Sequence, residues 1–213
     1  MTTDSMDTLI DAGHHLDRAG LGQGRSGNIS LRTETGLLIT ASGARLDRLT
    51  RKDLVAADLS GHWTGPLRPS SELSFHCAVF NARPDAMAIV HVHSPWATSL
   101  ACMHCPIPAF HYMVAAAGGD DIPCVPYATF GTGALAQAVA GGLQQRNACL
   151  MANHGQIALG ATMEEALELA EEVENLARCY GQILAIGDPV LLDSEQMADV
   201  LERFGGYGKQ QPE

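Results

Sequence analysis

The stretch Met87-Ala-Ile-Val-His-Val-His93 is rich in β-branched and apolar residues and runs directly into Ser94-Pro95. Such a run predicts a buried strand. A serine cap followed by proline at the first helical position predicts a helix immediately after it. Residues two apart on a strand face the same side, so His91 and His93 point together. A buried pair of imidazoles needs partners for its ring nitrogens. An ion shared between them supplies such a partner, and three histidines with an open fourth position form a common catalytic metal site. A lone histidine is usually only a packed or solvated residue, so the pair is the informative feature.

A third candidate is His154 in Asn153-His154-Gly155, placed where an apolar strand ends. Gly155 would permit a tight turn and leave room beside the imidazole. Nothing at this level brings His154 to the pair. Glu72, in Pro69-Ser70-Ser71-Glu72, is a candidate acid or base at the start of a helix, where the macrodipole favours its ionised form. A carboxylate there could equally serve only as a dipole partner.

Elsewhere helical and extended patterns alternate. Residues 6–19 predict an amphipathic helix stopped by Gly20. The segments 28–32 and 37–41 flank Thr35-Gly36 and predict a hairpin, with a further strand over 54–59. Ser70 or Ser71 is expected to cap a helix running to about Asn81. A helix over 133–145 leads to strands at 148–153 and 156–160. Thr162 with Glu165 forms a capping-box pattern opening a long helix to Ile186, and a last helix follows near Ser194. The expected fold is one α/β domain over residues 1–213, with a mixed, largely antiparallel central sheet covered by helices.

Composition excludes several partners. A net charge of −11, without any run of Lys or Arg, argues against nucleic acid. No apolar run reaches the roughly 20 residues that span a bilayer, and Met1–Asp7 carries acids where a signal peptide carries positive charge. The six scattered cysteines fit free thiols in a reducing compartment, so the cytoplasm is the expected location. Cys102-Met-His-Cys105 has C-x-x-C spacing but no second pair to close a tetrahedral site.

Gly22-Gln-Gly24-Arg-Ser-Gly27 matches G-x-G-x-x-G. A dinucleotide site requires a strand before that motif and a helix after it, and here the expected order is reversed. Glycine-rich loops still expose backbone N–H groups that bind anions. Gly27-Asn28, Thr40-Ala-Ser42-Gly43 and Ser70-Ser71 each lie at a predicted element end and together offer donors suited to a phosphate.

The segments Gly24-Arg-Ser-Gly-Asn28-Ile-Ser, Pro69-Ser-Ser-Glu72, His91-Val-His93 and Asn153-His154-Gly155 resemble, in order and spacing, the class II aldolase/adducin family. Within it the likeness is greatest to members that cleave L-fuculose 1-phosphate. His111-Tyr112-Met-Val-Ala-Ala-Ala-Gly-Gly, Pro126-Tyr-Ala-Thr-Phe-Gly-Thr132 and Phe204-Gly-Gly-Tyr207-Gly extend it over nearly the whole chain.

The resemblance implies a zinc-dependent lyase that cleaves a ketose 1-phosphate to dihydroxyacetone phosphate and an aldehyde. Zinc, or another divalent metal, would be held by His91, His93 and His154, with Glu72 as alternate ligand and proton carrier. Gly27, Asn28, Thr40, Ser42, Gly43, Ser70 and Ser71 match phosphate-binding positions. Tyr112 matches a tyrosine, reaching in from a neighbouring subunit, that protonates the aldehyde oxygen. Phe204 and Tyr207 match a C-terminal tail that closes over the aldehyde. A C4 homotetramer with inter-subunit active sites is implied as well.

Chemistry favours the metal route independently. A Schiff-base aldolase needs a desolvated lysine. The chain has only Lys52, in the charged run Arg51-Lys52-Asp53, and Lys209 near the C-terminus.

Two departures stand out. Ser42 replaces an expected threonine and keeps the hydroxyl. Arg25 inside the glycine-rich loop could add a bidentate phosphate contact or reach a substrate carboxylate. A metal-dependent decarboxylase or dehydratase of a phosphorylated sugar or oxo acid is the alternative on the same fold. An adducin-like binding module without catalysis is the more remote one.

Overall fold

The computed structural model describes residues 3–205. Its centre is β4 (Ala88–Val92), in which every residue is buried. Ala88, Val90 and Val92 pack into one apolar cluster and Ile89 into another, as the period-two alternation of a strand requires. The first cluster is closed by α1 (Thr3–Arg18), α3 (Pro95–Cys102) and α5 (Met163–Ile186). The second is closed by α2 (Leu73–Ala82) and α4 (Gly133–Gly142). A strand apolar on both faces therefore sits inside a sheet covered on both faces.

Seven strands form that sheet in the order β3-β2-β1-β4-β7-β6-β5. They are β1 (Asn28–Thr33), β2 (Gly36–Thr40), β3 (Leu54–Ala57), β4, β5 (Cys124–Val125), β6 (Ala148–Met151) and β7 (Gly155–Gly160). Every pairing is antiparallel except β5 with β6, so the expected mixed, largely antiparallel sheet is the one observed. α6 (Ser194–Phe204) packs Met197 against Ala109 and Ala115.

Several boundaries differ from expectation for identifiable reasons. The strand predicted over 54–59 stops at Ala57, because the Asp58 carboxylate accepts from the Ser60 and His62 backbone N–H groups and turns the chain. The strand predicted to reach Asn153 ends at Met151, since Asn153 is left-handed at φ 55°. Neither Ser70 nor Ser71 caps α2. Glu72 occupies that position, while the Ser70 hydroxyl accepts from the Glu72 N–H and shapes the approach. Ser94 precedes α3 as predicted, but its hydroxyl accepts from the Gln156 amide instead of capping. The first-turn α3 N–H groups of Trp96 and Ala97 are met by the Glu174 carboxylate from α5. Thr162 does cap α5, accepting from the Glu165 N–H, and Glu165 reaches back to the Ala161 N–H. The G-x-G-x-x-G motif lies between α1 and β1, helix before and strand after.

Two glycines let backbone pass close to the end of β4. A Cβ on Gly27, whose φ is 85°, would stand 2.7 Å from the His91 carbonyl oxygen. One on Gly155 would stand 2.6 Å from the Val92 carbonyl oxygen and 3.0 Å from the His93 ring. Neither neighbour is a flexible side-chain end. Gly155→Ala is accordingly expected to cost on the order of 1–3 kcal/mol in stability, measured as a lower urea midpoint at unchanged slope.

Candidate active site

Strand pairing assembles the histidines. His91 and His93 stand at the end of β4, both on the face toward α2 and α4, and Asn28 of β1 is the cross-strand partner of His91. Val92 pairs with Gln156 of β7, so one step further along the ladder His93 lies beside Gly155. The β6–β7 turn that carries His154 is thereby set against the pair. The three rings sit with centroids 4.8–4.9 Å apart, steeply inclined to one another. Each offers a ring nitrogen, and these atoms all lie within 4.8 Å of one another. The fully buried His91 donates from Nδ1 to the Gln156 carbonyl oxygen at 2.7 Å, which turns Nε2 toward His93 at 3.1 Å. One nitrogen anchored on a carbonyl and the other facing inward is how metal-binding histidines are oriented. The donor set fits a divalent cation such as zinc.

Glu72 sits above this triad. Its carboxylate oxygens lie 3.1 Å from His91 Nε2 and 3.0 Å from His154 Nε2. Burial pushes the carboxyl up, but attraction to His91 and hydrogen bonds from His154 and His91 hold it well below the usual carboxylate range. Glu72 is therefore ionised in the fold, next to nitrogens that suit a cation.

Beneath Glu72 runs a polar chain built from α2 and β1. Asn28 donates from Nδ2 to Glu72 at 2.7 Å, His76 contacts the Asn28 Oδ1 at 2.5 Å, and Ser30 contacts His76 Nδ1 at 2.7 Å. His76 was missed from sequence. Its signal was a pair of spacings: Glu72 and His76 four apart on one helix face, Asn28 and Ser30 two apart on one strand face. Also missed was His104, left-handed at φ 53°, whose Nε2 bonds the side chain of the left-handed Asn153 at 2.6 Å. That bond steadies the turn carrying His154 from the neighbouring C-x-x-C segment. The cysteines of that segment are free thiols and join no ligand group among the described residues.

A cavity of about 320 Å³ opens over the triad. Arg25, Gly27, Asn28, Ser42, Gly43, Ser70, Ser71, Glu72, His93 and His154 line it, with Tyr127 and Phe130 at the exposed side. Arg25 donates to the Gly43 carbonyl oxygen at 3.0 Å and so spans two of the predicted anion-binding loops. Thr40 is buried behind the wall, where its hydroxyl accepts from the Ile29 N–H and its carbonyl from the Ser70 N–H. Tyr112 opens a short 3-10 helix, Tyr112–Ala117, half-exposed and outside this cavity. Phe204 ends α6 and lines a different cleft, with Arg83 and Met113. Tyr207 lies outside the described residues.

Over residues 7–181 the chain matches the model of the class II aldolase and adducin N-terminal domain. It belongs to the class II aldolase/adducin family. Family relatives include an L-fuculose phosphate aldolase of Escherichia coli O6:H1, 50% identical over 202 residues, 94% of each chain. A 5-methylthioribulose-1-phosphate/5-deoxyribulose-1-phosphate aldolase of Rhodospirillum rubrum is 48% identical over 94% of this chain and 90% of its own. A solved L-fuculose 1-phosphate aldolase superposes with a TM-score of 0.92 at 36% identity, covering 96% of this chain and 98% of its own. Those proteins are aldolases, which are lyases, and the expectation of an enzyme of that class stands. Among the described residues no helix is long and apolar enough to cross a membrane.

Burial drives His76 down to about 3, helped by the charge of His91 and opposed by Glu72. Burial, with His91 and His154, does the same to His93. A histidine depressed in the fold is protonated first in the unfolded chain, so its stability contribution is present above the unfolded value, near 6.5, and is lost as pH falls. Between pH 7 and pH 5, His76 alone should cost on the order of 2 kcal/mol. Urea unfolding of chelator-treated protein at the two pH values checks this, and His76→Gln should flatten the difference.

Proposed function

We propose that the chain is a zinc-dependent aldolase that reversibly cleaves a ketose 1-phosphate to dihydroxyacetone phosphate and an aldehyde. The observation that supports this reading most is one ionised carboxylate, Glu72, set between His91 and His154 at the floor of a cavity walled by anion donors. His91, His93 and His154 would hold the metal, with Glu72 as an alternate ligand. A divalent cation in that place is a Lewis acid for the negative charge that grows on the substrate oxygens as the carbon–carbon bond breaks.

The remaining steps belong to side chains. The backbone N–H groups of Gly27, Gly43 and Ser71 and the hydroxyls of Ser42, Ser70 and Ser71, with the Asn28 amide, bind the phosphate and fix the ketose along the cavity. Thr40 supports that wall from behind, and Arg25 adds positive charge at its rim. Cleavage removes the proton of the hydroxyl beyond the breaking bond and leaves an electron pair on the carbon beside the ketone. In the condensation direction the ionised Glu72 withdraws a proton from that carbon. In cleavage Glu72 must first hold a proton to return it there, and the proton lost by the hydroxyl balances the one the carbon gains. Tyr112 serves the aldehyde oxygen from a neighbouring subunit of a C4 homotetramer, which fits its exposure here. Phe204 and Tyr207 would close the aldehyde end from the C-terminal tail. We read residues 1–213 as one such domain, working in the cytoplasm.

The relatives' substrates share a deoxygenated or methylthio end remote from the phosphate. Tyr127 and Phe130 place aromatic surface at the exposed side of the cavity, which suits such an apolar end. The substrate class is thus a ketose 1-phosphate with an apolar terminus.

Dihydroxyacetone phosphate release from L-fuculose, 5-deoxyribulose and 5-methylthioribulose 1-phosphates, with and without a chelator, tests the reaction. Chelator-sensitive release from at least one is expected. No release from any of them, by protein that retains its metal, would overturn the aldolase reading and favour decarboxylation of a phosphorylated oxo acid beside Arg25. His93→Ala should lose both metal content and turnover, the latter by about a thousandfold or more. Full metal occupancy with full turnover in that variant would sink the ligand assignment.

A further inference from the structure

We propose that His76 is a positioning residue that turns the Asn28 amide so that its NH2 end faces Glu72 and the anion cavity. The inference rests on the reading of that cavity as a phosphate site. Donation runs in one direction along the buried chain, and each link forces the next. Asn28 Nδ2 lies 2.7 Å from Glu72 Oε2, and an amide NH2 only donates, so the carboxylate accepts and the amide oxygen faces His76. That oxygen needs a donor, so His76 carries its proton on Nε2. An uncharged ring protonated there has Nδ1 as an acceptor, and the Ser30 hydroxyl donates to it at 2.7 Å. Burial keeps the ring in this uncharged form.

Four observations make the arrangement rigid. Ser30 and His76 are fully buried, Asn28 and Glu72 nearly so, and no water can replace a lost partner cheaply. Phe75 stacks on the His76 ring with centroids 4.7 Å apart. β1 sets the Asn28–Ser30 spacing, and α2 sets the Glu72–His76 spacing. Asn28 also lines the cavity. An amide NH2 carries two hydrogens. One serves Glu72, which leaves the other for an anion in the cavity that Asn28 lines. With the amide reversed, its oxygen would oppose both negative groups. Without a donor at His76 the amide oxygen loses its buried partner, and Glu72 alone is left to hold the NH2 end in place.

The test uses metal-loaded, full-length protein and inorganic phosphate as the probe, followed by titration calorimetry. His76→Leu, which removes the donor, should weaken phosphate binding by about tenfold and raise KM for the ketose 1-phosphate by a similar factor, with metal content unchanged. His76→Gln places an amide N–H near the position of the imidazole Nε2 and should restore most of the affinity. A purely structural role would lower thermal stability in both variants without this split. Phosphate binding unchanged in His76→Leu, or as weak in His76→Gln as in His76→Leu, would overturn the proposal. Should His76→Leu fail to fold, Ser30→Ala carries the test, since it frees the ring to change tautomer. A loss of severalfold supports the proposal, and unaltered binding overturns it. Wild-type protein that takes no phosphate would overturn the cavity reading itself, an outcome distinct from wild-type binding that the variants leave untouched.

Discussion

Antiparallel pairing between β4 and β7 is the constraint from which the site follows. It sets Val92 opposite Gln156 and brings the Asn153-His154-Gly155 turn against His93. A slip of one residue would send His91 and His93 to the opposite face, among the side chains of α1, α3 and α5. The register is secured from both sides, because Val90 and Val92 are required in one apolar cluster and Ile89 in the other. Packing energy that would hold any buried strand thus also locates three histidines to within a few ångströms. The same register passes to β1, where Asn28 faces His91 across the ladder.

Burying that many polar groups is costly unless they satisfy one another. Glu72 is held by three neighbours, His91, His154 and Asn28; Asn28 is held in turn by His76, and His76 by Ser30. Two elements remote in sequence, the first strand and the second helix, are tied together by this network beneath the cavity. The chemistry at the surface of the cavity and the cohesion of the fold below it depend on the same carboxylate. Such coupling explains why the helix that carries Glu72 opens on an acid and not on the serines that precede it. Ser70 and Ser71 are used on the cavity wall, and the Ser70 hydroxyl receives the Glu72 N–H.

Much of this was legible in the chain itself. The apolar run ending in His91-Val-His93, the Asn153-His154-Gly155 turn, Glu72 at a helix start and the glycine-polar clusters were each readable as local patterns, and the alternation of elements indicated a helix-covered mixed sheet. Local pattern was less reliable where a side chain had a tertiary rival. Ser94 looked like a cap, yet the Gln156 amide claims its hydroxyl and Glu174, 80 residues further on, meets the helix N–H groups instead. Thr40 looked like a cavity hydroxyl, yet in the fold it is buried and its oxygen accepts from the Ile29 N–H. His76 gave no signal as a single residue and acquires its meaning only from Asn28 and Ser30, more than 40 positions away.

Periodicity and composition by themselves determined which segments are strands and helices, which faces are apolar, and which residue types could bind a cation or an anion, because those properties depend on neighbours within a few positions. Tertiary structure alone decided which of those residues meet. It drew His154 to the pair, made Glu72 the common partner of His91 and His154, and enlisted His76 and His104 in support. Hydrogen bonds and coordination act over about 3 Å, and only the strand register and the packing of helices on the sheet bring residues so far apart in sequence within that range.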